Sequence, residues 1–341
     1  MEILASLLAY ANPPFNYLGS TLFLSYILLA LFFTFGISIL LYSQYKRIPS
    51  LKLSQEIKDA RTRHIKIYAF LASISFAILS YNMLSFLIQS LTAWARMKNL
   101  MGIRVGLLDL GNWTLETNLF ESFAQELVRK RPGAVWTQVG LLGTWFWNVW
   151  MAYKAQQHKF SLSIMAPYIV LSQILPITFT ACLFVIQLHL DAMGISPNLR
   201  PKSKDDSKAG SESKADSGNK TPQSIIKKSS LALPTVVLNA AILALPSLKG
   251  HPVFIPLVFF TRIMLLVPHT ARIRFDQKDV LQCVSISFGF VVANLTMLKG
   301  TTTFLEVISG VRKSGFAVKT LGYDAELSLL VGAILRWGGG V

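Results

Sequence analysis

The side chains able to do chemistry are few and mostly acidic. Asp109, Glu116, Glu121 and Glu126 crowd the stretch LMGIRVGLLDLGNWTLETNLFESFAQELV, Asp191 stands two residues after His189, and Glu306 lies in a later polar connection. Trp145 and Trp147 flank a tryptophan-rich run beside Asn148, and Arg262 sits near the middle of VFIPLVFFTRIMLLVPH. A carboxylic acid in apolar surroundings holds its proton more firmly. Aromatic faces stabilise nearby positive charge, and an apolar cavity excludes water. This set suits acid-initiated chemistry on a lipidic molecule, with a carbon–carbon double bond or an epoxide protonated, and it calls for no cofactor and no metal. Taken singly, each carboxylate also reads as a solvated surface group.

Other chemistries lack their residues. There is no Walker lysine loop, dinucleotide fingerprint, HExxH or GxSxG. The five histidines, His64, His158, His189, His251 and His269, are not closely spaced, and Cys182 and Cys283 lie in apolar runs without disulfide or metal-site spacing.

The elements that must position these groups are membrane helices. Residues 18–42 carry no charge and are long enough, at about 1.5 Å per residue, to cross a hydrocarbon core of about 30 Å. The chain is 52% hydrophobic and only 15% charged, with a mean hydropathy of +0.47, which directs the reading to an all-α, polytopic transmembrane bundle of seven to eight spans. The net charge of +16 reads as anchoring at anionic membrane lipids, and no aromatic–basic face points to nucleic acid. No positive segment precedes the first apolar run, so the first long helix is expected to serve as an uncleaved signal, with the endoplasmic reticulum as the default membrane.

The next loop holds Lys46, Arg47, Lys52, Lys58, Arg61, Arg63 and Lys66. The positive-inside rule puts it in the cytosol and the N-terminus across the membrane. Helix 2 is expected over about 67–94. In it Asn82 and Gln89, seven apart on one face, make an interhelical hydrogen bond or line a cavity. Residues 95–131 are too polar to span and read as an interfacial helix or a cap over a pocket. Asn112-Trp113-Thr114 is a glycosylation acceptor if that side is lumenal. Helices are expected over 134–153 and 161–190, the latter kinked at Pro167 and Pro176. The Ser/Lys/Asp/Gly-rich segment 195–229 has nothing to bury and reads as a disordered linker. It divides the chain into 1–194, with four helices, and 230–341, with helices over 231–248, 253–269 and 281–298 and a short last one from Glu326. With eight spans this lysine-rich linker falls on the lumenal side, against the charge rule. Arg262 at mid-depth must face a bundle interior, a carboxylate or a polar cavity.

The stretches LLAYANPPFNYLGSTLFLSYILLALFF, WTLETNLFESFAQELVRKRPGAVW and TWFWNVWMAYK resemble fungal integral-membrane terpene cyclases, of the type found in ascofuranone, ascochlorin and macrophorin pathways. The resemblance covers most of the chain outside 195–229. It implies metal-independent cyclisation of a linear farnesylated phenol, after protonation of an epoxide or terminal olefin, next to an upstream prenyltransferase or epoxidase in the same membrane. Under it, Glu116 and Glu121 are the first choices for the acid, followed by Asp109, Asp191 and Glu306. Arg262 or Asn148 orients the acid or the phenolic head, and Trp145 and Trp147 stabilise positive charge. Two other classes compete. A transporter of a hydrophobic or anionic small molecule would use Arg262 as an anion contact, and a non-catalytic scaffold would use the linker to hold partners.

Overall fold

The computed structural model describes residues 13–100, 106–174, 176–195, 230–270, 277–298 and 303–338. Among these the chain is all-helical and has no strand. The helices are α1 (Tyr17–Tyr45), α2 (Gln55–Met97), α3 (Leu107–Glu116), α4 (Leu119–Val128), α5 (Arg131–Gln157), α6 (Leu162–Ile174), α7 (Ile177–Asp191), α8 (Ala232–Ala244), α9 (Phe254–Met264), α10 (Gln277–Leu298), α11 (Phe304–Lys313) and α12 (Phe316–Trp337). Short 3₁₀ turns occupy Ile48–Ser50 and Val267–His269.

Among the described residues three segments are long and apolar enough to cross a membrane: Tyr17–Ser50, Gln55–Met97 and Lys278–Met297. The first and third bury only 11% of their most apolar windows. They turn Leu28, Phe32, Ile39, Phe288 and Met297 outward, the behaviour of helices whose solvent is lipid. This corrects the expectation of about eight such spans. Prolines and turns cut the other apolar runs into pieces of 10–17 residues. The helices α5 and α12 are long but too polar, because Thr137, Gln138, Thr144 and Asn148 on one and Thr320, Asp324 and Ser328 on the other are buried inside the bundle.

Helix α5 is the hub. It packs on α4, α6, α7, α8, α10, α11 and α12, so helices from both sides of the expected linker join in one bundle. Small residues let its backbone approach closely: a Cβ at Gly140 would lie 3.1 Å from the Leu321 carbonyl, and one at Gly133 3.1 Å from Val318. The linker itself, from residue 196 to 229, lies outside the described residues.

The segment expected as one kinked span over 161–190 is instead a hairpin of two half-helices. His158, just before α6, bonds through Nδ1 to Asp191 Oδ2 at the end of α7 at 2.6 Å. Tyr168 meets Phe184 edge-on at 5.5 Å between the two arms. Both arms therefore start and finish at the same end of the bundle, and the tip lies at Pro176, where a missing N–H and a fixed φ stop the helix. The new helix α7 then begins deep in the protein with its first N–H groups lacking intrahelical partners. Asp324 of α12 supplies them. Its Oδ2 accepts from Ile177 N at 2.9 Å and its Oδ1 from Thr178 N at 3.1 Å, while Thr178 Oγ1 donates back to the Asp324 carbonyl at 2.9 Å.

The last helix also reaches further back than its expected start near Glu326, to Phe316. In that longer helix Asp324 lies a little over two turns inside.

Replacing Asp324 by Ala leaves two buried donors unpaired and should cost about 2–4 kcal/mol. Asp324→Asn, which keeps one acceptor oxygen, should lose less. Detergent-solubilised unfolding curves measure both, and equal stability of wild type and Asp324→Ala would show that the carboxylate does not cap the half-helix.

Candidate functional site

The amphipathic helices α3 and α4 form a corner over one end of α1 and α2. Asn16, ahead of α1, ties this corner down: its backbone N–H donates to the Leu115 carbonyl at 3.1 Å and its Nδ2 to Asn118 Oδ1 at 2.6 Å. Ser20 Oγ donates to the Thr114 carbonyl at 2.6 Å. The described part of the mixed segment thus folds as two short amphipathic helices tied to α1.

Beneath α4, between the last turns of α2 and the start of α12, lies a cavity of about 710 Å³. Its wall includes Phe86, Gln89 and Ser90 from α2, Gln125, Glu126 and Arg129 from the α4 region, and Gly315 and Val318 from α12 and its N-cap. Glu126 is half-buried there. Its Oε1 accepts from Ala317 N at 3.4 Å, and the carboxyl fills the space a side chain at position 315 would need, which only glycine leaves open. Burial raises its pKa above the ordinary carboxylate value, opposed by the Ala317 bond and by the Arg129 and Lys319 charges.

The carboxylates selected from the sequence are engaged elsewhere. Glu116 accepts from Trp94 Nε1 at 2.9 Å and pairs with Lys98 Nζ at 2.8 Å; the hydrogen bonds from Lys98 and then Trp94 lower its pKa. Glu121 accepts from Asn118 at 3.1 Å and from Gln125 at 2.8 Å. Asp109 and Glu306 cap their own helices, accepting from Gly106 N and Thr303 N, each at 2.9 Å. Asp191 is bound to His158 at 2.6 Å. None of the five lines the cavity, and the structure does not bring them together.

Trp145 and Trp147 do not form one aromatic patch. Two residues apart on a helix, they point about 200° apart. Trp145 is fully buried with Leu238, Leu265 and Cys283, while Trp147 stands edge-on to Trp150 at 5.2 Å in a separate cluster. Asn148, also fully buried, is a junction. Its Nδ2 donates to the Thr144 carbonyl at 2.9 Å, and its Oδ1 receives Ser172 Oγ at 3.0 Å and meets His269 Nε2 at 2.7 Å. Arg262 donates from Nη1 to the Gln173 carbonyl at 3.2 Å and has no carboxylate partner among the described residues. Asn82 donates to the Ile78 carbonyl of its own helix at 2.9 Å. Asn112 is exposed on α3, whose Thr114 hydroxyl donates to the Gly111 carbonyl at 2.8 Å.

Sequence reasoning passed over Glu126 in favour of its neighbours. The amphipathic period was the available signal: in LFESFAQELV, Glu126 falls next to the buried Leu127 and Val128 at the end of the helix, whereas Glu121 lies in its first turn.

The Glu116 geometry carries a pH dependence. A lowered folded pKa stabilises the fold above the unfolded glutamate value of about 4.3, and this is lost as pH falls through the lower folded value. Glu116→Gln should abolish that part of the acid sensitivity in thermal unfolding of the detergent-solubilised protein; an unchanged pH profile would show that the Lys98 pair contributes nothing. Comparison with protein-family models, with curated proteins and with solved structures gives no match.

Proposed function

We propose that this protein is a membrane-embedded cyclase that protonates a linear terpenoid from Glu126. The observation that carries this reading is a half-buried carboxyl with a raised pKa on the wall of a ligand-sized cavity; at about 710 Å³ the cavity falls within the usual range of about 300–1,000 Å³. The resemblance to fungal meroterpenoid cyclases supplies the substrate class, a farnesylated phenol. The Glu126 proton adds to the terminal olefin carbon or the epoxide oxygen. The resulting cation is captured by the next double bond, and loss of a proton from the cyclised skeleton leaves an isomer of unchanged mass. Gln89, Ser90 and Gln125 offer hydrogen bonds to a phenolic head, and Phe86, held edge-on to Phe123 at 5.3 Å, offers a ring face to the cation.

In the same reading the chain crosses the membrane seven times, by α1, α2, α5, α8, α9 with its following turn, α10 and α12. The α6–α7 hairpin enters and leaves on one side. The end contacts support it: Glu126 meets Ala317 at one end of the bundle, and Arg61 meets His189 at the other. With the hairpin not crossing, the lysine-rich linker falls on the same side as the basic loop after α1, as the charge rule prefers.

A second reading, transport, is favoured by the hairpin itself. Half-helices meeting inside a bundle beside an unpaired Arg262 are the construction of membrane substrate sites.

Microsomes containing the protein, incubated without added metal with a farnesyl phenol or its terminal epoxide, should yield a cyclised isomer detected by mass spectrometry and NMR. Glu126→Gln should lower the rate at least about 100-fold, while Glu116→Gln should retain it. Wild-type activity should fall as pH rises through the raised Glu126 value. Full activity in Glu126→Gln would remove this residue from the acid role, and movement of unaltered substrate across vesicles would favour transport.

A further inference from the structure

A second cavity, of about 400 Å³, adjoins the first where α4 turns into α5 and meets α8 and α10. Arg129 and Lys249 line both cavities, and Arg131 joins them in the second. No carboxylate lines this second cavity, and none of the three cations forms an ion pair among the described residues. At its inner end Gln138 is 1% exposed. Asn294 Nδ2 donates to Gln138 Oε1 at 2.6 Å, and this leaves the Nε2 of Gln138, a residue that lines the cavity, buried and without a partner. The 27-residue helix α5 begins at Arg131, so its positive end faces the same space.

The charged side chains here are all cations, two guanidinium forks and an ammonium. They stand with an orphaned amide N–H and a helix N-terminus beside the Gln138, Asn294 and Ser247 oxygens and the C-terminal end of α8. The complement is a group with several anionic oxygens. The walls continue in apolar side chains, Val128, Ile242 and Leu243, which suit a hydrocarbon chain attached to that group. We propose that this cavity binds a phosphate group, seated between Arg129, Arg131 and Lys249 with one oxygen on Gln138 Nε2. A phosphate has three non-ester oxygens to share among these donors, where a carboxylate has two. The phosphate is carried either by a lipid headgroup or by a free phosphate compound. The assignment is independent of the cyclase reading, because it uses neither Glu126 nor turnover.

The test uses the full chain in detergent, with binding followed by tryptophan fluorescence and thermal unfolding. The probes are inorganic phosphate, short-chain phosphatidic acid and, as the zwitterionic control, phosphatidylcholine of the same chain length. Phosphatidic acid should bind at least about tenfold more tightly than phosphatidylcholine, and added salt should weaken it. Comparable binding of inorganic phosphate would identify a free phosphate compound as the source, and binding of the lipid form alone would identify the headgroup. Arg131 and Lys249 are exposed, so the double variant Arg131→Gln, Lys249→Gln should fold normally and lose binding about tenfold or more. Gln138→Glu keeps the oxygen that accepts from Asn294 and sets a like charge against the anion; it should abolish binding in protein of unchanged helix content. Equal binding in wild type and either folded variant, or no binding of either phosphate probe to wild type, would overturn the assignment.

Discussion

One buried carboxylate holds the bundle's interior together. Asp324 sits on the first two N–H groups of α7, which would otherwise be buried without an acceptor. A chain interrupted by proline inside a bilayer exposes backbone donors that lipid cannot satisfy. A carboxylate is well suited to the place, because two acceptor oxygens match two adjacent N–H groups and its charge meets the positive end of the helix. Once that end is fixed, α6 and α7 fold against each other, the Asn148–Ser172–His269 junction forms at the hairpin's flank, and Arg262 reaches the Gln173 carbonyl. Several polar groups of the interior thus gather around this hairpin.

At the opposite end, a different economy applies. The α3–α4 corner is amphipathic, and its carboxylates divide by environment. Glu116 has a lysine and an indole N–H and is held as an anion. Glu126, ten residues on, lies against Gly315 and a cavity and is pushed toward its neutral form. Two glutamates in one short segment thus differ in the property that decides whether a carboxyl gives up a proton.

Much of this was legible in the sequence. The uncharged run 18–42 and the composition pointed to a helical chain with helices apolar enough to cross a membrane, and the mixed polarity of 95–131 to a segment too polar to do so. The hairpin was not legible, because a proline in an apolar run of about 30 residues reads equally as a kink in one span or as the break between two half-helices. The difference rests on a partner 146 residues away from Thr178. The place of Glu126 on the cavity wall was not legible for a related reason. Asp109, Glu116, Glu121, Glu126 and Glu306 are all glutamate or aspartate near helix ends, and only the tertiary neighbours separate caps and ion pairs from a group facing a cavity. Trp145 and Trp147 show the converse error, since their proximity in sequence overrode the helical period that sends them apart.

The long reach of Asp324 also sets an order for biogenesis. Until α12 has been made, the N–H groups of Ile177 and Thr178 lack the acceptor they have in the folded protein. A truncation just before Asp324 therefore removes more than a last helix: it also takes away the partner of the first N–H groups of α7, in the middle of the molecule.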